Sequence, residues 1–317
     1  MLTSFENLAG STRDDYLYGD ASASVVSGDA GDDWLFGRDG ADTLKGEIGD
    51  DYLEGGDGAD TLDGGAGSDW ASYANSAAGV TVDVGLATAQ TAAGDTLGDV
   101  FVSIENVLGS AFADTIISGS AANEIDGGAG IDTVSFVNSG AGVIADLANV
   151  GAQSSAGHAG GDVYTNVENL LGSAFGDVLR GDANANLLTG AGGADVLEGR
   201  AGADTLDGGA GIDTASYENS VAAVTVDLSL AAQTAAGDTL GDVYVDIENL
   251  RGSAYDDYVI ATAGWAEIDG IEGSDTVSYE VGRRRRGRPR PGWPAGEPRG
   301  CLGQCAHRHR EPARLGA

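Results

Sequence analysis

The chain has 317 residues, of which 53 are glycine and only 6% aromatic, too little bulk for a conventional globular core of that length. Its net charge of −34 is unevenly held: residues 1–280 carry 48 acidic against 6 basic side chains, and residues 281–317 carry 2 against 10. That balance argues against nucleic acid as a partner and for divalent cations. Cys301, Cys305 and all five prolines lie beyond residue 288, so the acidic region has no thiol chemistry. No apolar run approaches the ~18 residues of a membrane span, and no basic stretch leads into an apolar one. Any export is therefore expected to use something other than a cleaved leader.

In chain order, residues 1–9 read as the end of a spacer, because Phe5-Glu6-Asn7-Leu8 before Gly10-Ser11 recurs later as a spacer ending. An upstream portion is expected on that ground. From Gly10 a glycine recurs every nine residues to Gly64, and the same register returns at 109–135, 172–216 and 252–278. Numbering each unit one to nine gives eighteen units. Position eight is apolar in all of them, as at Leu17, Leu35, Leu53, Ile116, Leu179 and Val277. Position six is Asp in fourteen, the exceptions being Ser24, Asn123, Asn186 and Ala266. Such a pattern implies a solenoid in which two units make a coil of about eighteen residues.

Three spacers, 73–108, 136–171 and 217–251, lie between the successive blocks 10–72, 109–135, 172–216 and 252–278. Each opens on an aromatic residue and an Asn-Ser pair, runs through an alternating stretch such as Val80-Thr81-Val82-Asp83-Val84, and closes on Glu-Asn (Glu105-Asn106, Glu168-Asn169, Glu248-Asn249). Their length matches about two coils. Continuation of the solenoid is the expectation, against a hairpin packed on its side.

Residues 281–317 share nothing with the repeat. Read one nucleotide later with permitted third bases, His307 to Ala317 becomes Thr-Asp-Ile-Glu-Asn-Leu-Leu-Gly-Ser-Ala, the spacer ending again. We read the tail as a shift of frame near residue 281, disordered and without selected function; the alternative is a basic tail that binds nucleic acid or membrane.

The chemistry of the unit lies in its turn. Glycines at positions one, two and four, as in Gly55-Gly56-Asp57-Gly58, allow φ > 0 and remove the side chains that would keep backbone carbonyls from converging, and Asp at position six adds charge. Calcium, a hard cation that takes six to eight oxygens at about 2.3–2.6 Å, suits carbonyls and carboxylates together. Loops alternate between two edges, so an ion is expected between a unit and the next but one. The candidate ligands in the first block are Gly28, Gly31 and Asp33; Gly37, Gly40 and Asp42; Gly46, Gly49 and Asp51; Gly55, Gly58 and Asp60; and Gly64, Gly67 and Asp69. Later blocks add Gly127, Gly130 and Asp132; Gly190, Gly193 and Asp195; Gly199, Gly202 and Asp204; and Gly208, Gly211 and Asp213. Four same-edge pairs are complete: Gly28 with Gly46, Gly46 with Gly64, Gly37 with Gly55, and Gly190 with Gly208. A unit such as 109–117, with Phe112 at position four, is expected to be a structural coil with weak or no ion binding. Without calcium the stacked carboxylates repel and the chain is expected to be unfolded, so that binding and folding are one event.

These units resemble the RTX, or haemolysin-type, calcium-binding nonapeptide, an example of a repeat signature. The resemblance implies a right-handed parallel β-roll (a β-solenoid, all-β), Ca²⁺ as the bound ion, export by type I secretion machinery from a Gram-negative bacterium, and folding in external calcium. The tail lacks an identifiable uncleaved export signal, so secretion is expected of the parent protein rather than of this polypeptide.

Rolls of that family are often joined to proteases, lipases, epimerases or toxins. Here no His-Glu-x-x-His or Gly-x-Ser-x-Gly occurs, and His158 is the only histidine before the tail, so the expectation is a non-catalytic module of a larger secreted protein. The alternatives are the end of an exoenzyme whose catalytic domain is absent, or a surface adhesin. For the adhesin, Tyr16, Trp34, Tyr52 and Trp70 at position seven of every second unit form an outward aromatic ladder able to hold glycans or a cell surface; the competing reading is a ladder that stabilises an exposed sheet.

Overall fold

The computed structural model describes residues 6–279 except Ala156 and Ala266, so the tail in which a shift of frame was read lies outside the described residues. Positions seven to nine of each unit are extended, as at Tyr52–Asp57 and Thr61–Ala66, because an apolar residue between two outward ones suits a half-buried strand. All strand pairings are parallel, and within blocks the register advances by eighteen residues: Tyr16 pairs with Trp34, Trp34 with Tyr52, and Tyr52 with Trp70. No α-helix occurs among the described residues, and no helix there is long and apolar enough to cross a membrane. The fold is an all-β parallel roll.

The core is the line of position-eight side chains. Val26, Leu35, Leu44, Leu53 and Leu62 have no exposed surface, and Leu179, Leu188, Leu197 and Leu206 repeat the arrangement in the third block. Full burial of such a side chain stabilises the fold by about 1.5–3 kcal/mol. The column weakens at its far end, where Val277 is 40% exposed.

Spacers join the parallel ladders, and each advances its shared ladder by one rung where length alone suggested two coils. Trp70, just before the first spacer, pairs with Asn106 at its end. The remaining residues make two further strands with different loyalties. Val100–Val102 pairs with Thr61–Ala66 and ends one ladder, whereas Thr81–Asp83 pairs forward with Thr115–Ile117 and opens another. The second spacer repeats this with Val163–Thr165 and Ile144–Asp146, and the third with Val243–Val245 and Thr225–Asp227. Each spacer thus exchanges one face of the roll and keeps the other.

Candidate metal centres

The position-six aspartates form a ladder of their own. The N–H of Asp15 donates to Oδ1 of Asp33 (2.8 Å), Asp33 to Asp51 (2.8 Å), and Asp51 to Asp69 (2.9 Å). On the opposite edge Ser24 donates to Asp42 (2.6 Å) and Asp42 to Asp60 (2.7 Å). One carboxylate oxygen of each rung is therefore used to bind the turn of the preceding coil. The other, Oδ2, is buried and has no hydrogen-bond partner at Asp33, Asp42, Asp51, Asp60, Asp69, Asp132, Asp195, Asp204 and Asp213. Nine orphaned anionic oxygens are far too costly to be accidental, since one unsatisfied buried polar group costs roughly 1–3 kcal/mol and a charged one more.

Position two decides whether Oδ2 is orphaned. In the ten units with Gly at one and four and Asp at six, residue two has a left-handed φ between 67° and 100°, including non-glycine residues such as Arg38 (84°), Glu47 (77°) and Arg200 (67°). In units that follow a spacer, position two is Ser without that conformation. Its N–H donates to the same Oδ2, at 2.6 Å for Ser11 to Asp15, 2.5 Å for Ser110 to Asp114 and 2.6 Å for Ser173 to Asp177. The Ser110 and Ser173 hydroxyls add bonds to Oδ1 (2.8 and 2.9 Å). The left-handed residue, which costs about 1–2 kcal/mol outside glycine, turns the amide away and leaves the oxygen free. The positive φ expected at position two from its glycines is thus kept by other residues as well; Ser at two beside Asp at six is the signal, not used in the sequence analysis, that marks the units without it.

Glycine at position one completes a cradle. A methyl group on Gly46 would overlap Asp51 Oδ2 and lie 2.6 Å from the Gly64 carbonyl oxygen. On Gly37 it would lie 2.5 Å from Asp42 Oδ2 and 2.6 Å from the Gly55 carbonyl, and on Gly190 it would overlap Asp195 Oδ2, 2.7 Å from the Gly208 carbonyl. At Gly28 the partners are Asp33 Oδ2 and the Gly46 carbonyl at 3.0 Å. All four expected pairs are thus brought together. At position four, added methyl groups on Gly49, Gly58, Gly67 and Gly211 would overlap the carbonyl oxygens of Gly31, Gly40, Gly49 and Gly193, so the turns stack too closely for any side chain. Gly31, Gly40, Gly130, Gly193 and Gly202 are left-handed there.

Burial strains the electrostatics of these carboxylates. Burial first, and then neighbouring carboxylates, push Asp51, Asp60, Asp195 and Asp204 up to about 7, and Asp69 and Asp132 up to about 6. Asp33, Asp42 and Asp213 move in the same direction for the same leading reason. No three Asp, Glu, His or Cys side chains converge among the described residues. What converges is one carboxylate oxygen with main-chain carbonyls, a hard-oxygen set that fits calcium and offers soft metals no sulfur or nitrogen.

The aromatic ladder is present as stacked rings. Tyr16 and Trp34 lie 4.7 Å apart at 3°, Trp34 and Tyr52 5.6 Å at 4°, and Tyr52 and Trp70 5.5 Å at 6°. A second column, Tyr18 on Phe36 at 4.6 Å, runs beside it at position nine, with the Arg38 guanidinium 5.3 Å from the Tyr18 ring centre.

Compared with known families, residues 9–44, 36–71, 103–134, 167–197 and 180–215 match the RTX calcium-binding nonapeptide repeat. No curated protein sequence matches the chain significantly.

Proposed function

We propose that this chain, which carries RTX calcium-binding nonapeptide repeats in tandem, is a non-catalytic module that folds when calcium arrives, within a protein that works outside the cell. The observation that carries this is the set of nine buried, partnerless Asp Oδ2 atoms, each beside a position-one glycine. Bound calcium would supply positive charge and accept these oxygens together with stacked carbonyls. Asp33, Asp51 and Asp69 would serve one edge of the first block and Asp42 and Asp60 the other, with Asp132, Asp195, Asp204 and Asp213 in later blocks. Extracellular modules commonly bind calcium at about 10⁻⁴–10⁻³ M. An ion present at a hundred times its dissociation constant stabilises its site by about 2.7 kcal/mol. In a low-calcium interior the same carboxylates oppose folding, which would keep the chain extended for passage through type I machinery.

The raised carboxyls of Asp51, Asp60, Asp69, Asp132, Asp195 and Asp204 are accounted for as ligands, and those of Asp99, Asp162 and Asp242 as acceptors from buried hydroxyls. The aromatic ladder is read as structural. Its inner rings turn their faces to one another, leaving edges where a sugar ring would need a face. Circular dichroism of the full chain during a calcium titration tests the main reading. A cooperative gain of β signal below ~10 mM is expected; an unchanged spectrum rejects it.

A further inference from the structure

On the edge where each spacer closes, it rebuilds the cradle with different residues. Beside Gly64 and Asp69 the next unit's glycine carbonyl is absent, and an added methyl on Gly64 would instead overlap the Ser103 carbonyl oxygen, with Asp69 Oδ2 at 2.5 Å. Gly127 meets the Asn166 carbonyl with Asp132 Oδ2 at 2.7 Å, and Gly208 meets the Asp246 carbonyl with Asp213 Oδ2 at 2.7 Å. Ser103, Asn166 and Asp246 all have left-handed φ (50°, 50° and 46°), which aims a carbonyl where regular repeats place one. Two residues on, a glutamate takes over the role of the next aspartate: Oε2 of Glu105, Glu168 and Glu248 accepts from the N–H of Asp69 (3.1 Å), Asp132 (2.8 Å) and Asp213 (3.0 Å). Asp69, Asp132 and Asp213 are at most 1% exposed, and their Oδ2 atoms have no partner.

The opposite edge behaves differently. There Asp99 Oδ1 accepts from Asp60, Asp162 from Asn123 and Asp242 from Asp204, but the second oxygen is sealed. Tyr73 donates to Asp99 (2.9 Å), Tyr217 to Asp242 (2.6 Å), and Ser118 to Asp162 (2.8 Å). The aspartate that a spacer itself brings to that edge is thus closed by a hydroxyl, although Oδ2 of Asp60 and of Asp204 beside it is still without a partner; the edge that carries Ser103, Asn166 and Asp246 is the open end.

We propose that the open ends are hybrid calcium sites: Asp69 with the Ser103 carbonyl and Glu105, Asp132 with the Asn166 carbonyl and Glu168, and Asp213 with the Asp246 carbonyl and Glu248. Each pins the end of a spacer to the block before it, so that the exchange of faces is locked by an ion. The assignment rests on the calcium-folding reading above and extends it to residues outside the nonapeptide.

The test is equilibrium dialysis of calcium on the full chain and on the triple variant Glu105→Gln, Glu168→Gln, Glu248→Gln. Glutamine keeps an oxygen to accept from the aspartate N–H, so a purely hydrogen-bonding role leaves the ion count unchanged. The variant is expected to bind three fewer ions, or to bind three of them at least tenfold more weakly. An equal count with equal affinities overturns the hybrid sites while leaving the repeat sites standing; failure of the unaltered chain to bind any calcium overturns both. Should the triple variant not fold, crystals of the unaltered chain grown with Tb³⁺ decide. An anomalous peak between Asp69 Oδ2 and the Ser103 carbonyl is expected, and peaks at the Gly28 and Gly46 turns with none at Asp69 sink the proposal.

Discussion

The backbone N–H of Asp33 donates to Oδ1 of Asp51 at 2.8 Å, eighteen residues ahead, and Oδ2 of that same carboxylate is buried without a partner. One side chain thus ties two coils with one oxygen and leaves the other for a cation. Asp51→Asn keeps the first function and removes the charge needed for the second. Equilibrium dialysis should show one ion fewer, or that ion bound at least tenfold more weakly, with the fold retained at high calcium. Asp51→Ala also strands the Asp33 amide and should cost roughly a further 1–3 kcal/mol in thermal unfolding.

Gly46→Ala is expected to harm the calcium-bound state specifically. The new methyl would occupy the space between Asp51 Oδ2 and the Gly64 carbonyl. The calcium midpoint by circular dichroism should rise severalfold, and an unchanged midpoint would show that the cradle is not where the ion sits.

Units led by serine offer the reverse case. Asp114 is satisfied at both oxygens, by the Ser110 amide and hydroxyl and by the Val80 amide. Asp114→Asn should therefore lower thermal stability by a similar amount at low and at saturating calcium, about 1–3 kcal/mol, without changing the number of ions bound. Loss of an ion in that variant would overturn the distinction drawn from position two.

Position eight and position six were legible because each is a local rule repeated many times: Leu35, Leu44 and Leu53 fill the core and Asp33, Asp42 and Asp51 line the turns, as their spacing alone requires. The exchange of ladders was not legible. It depends on Thr81 pairing with Thr115 and Val100 with Thr61, partners 34 and 39 residues apart that no single period selects. Glu105, Glu168 and Glu248 stood out only as markers of a spacer ending. Their bonds to Asp69, Asp132 and Asp213 become visible once the coils are stacked. Residues 281–317, read as a shift of frame, rest on the coding DNA for their test.

Acid should act in opposite senses with and without calcium. Burial raises the folded-state pKa of Asp51, Asp60, Asp195 and Asp204 to about 7, against about 3.9 in an unfolded chain. The metal-free fold thus binds more protons than the unfolded chain between about pH 4 and 7, and it loses stability as pH rises through that window. In calcium-free buffer, β signal should be greater near pH 4.5 than at pH 7.5. With calcium present, protons compete for the same oxygens, so the calcium midpoint should climb as pH falls below 7. A midpoint flat from pH 7.5 to 5.5 would contradict the assignment of these carboxylates as ligands.

The aromatic column predicts an energetic asymmetry. Trp34 stacks on both Tyr16 and Tyr52, whereas Trp70 stacks on Tyr52 alone, its other neighbour on the ladder being Asn106. Threonine is already accommodated at position seven, where Thr43 pairs with Thr61 on the other face, so Trp→Thr removes rings without disturbing the strand. Each lost stack should cost about 0.5–1.5 kcal/mol, making Trp34→Thr roughly twice as destabilising as Trp70→Thr in urea unfolding at saturating calcium. Binding to glycan arrays should be indistinguishable between the unaltered chain and both variants. If instead stability is untouched and glycan or cell-surface binding disappears, the ladder is a recognition surface, and the stacked geometry serves a ligand that reads ring edges.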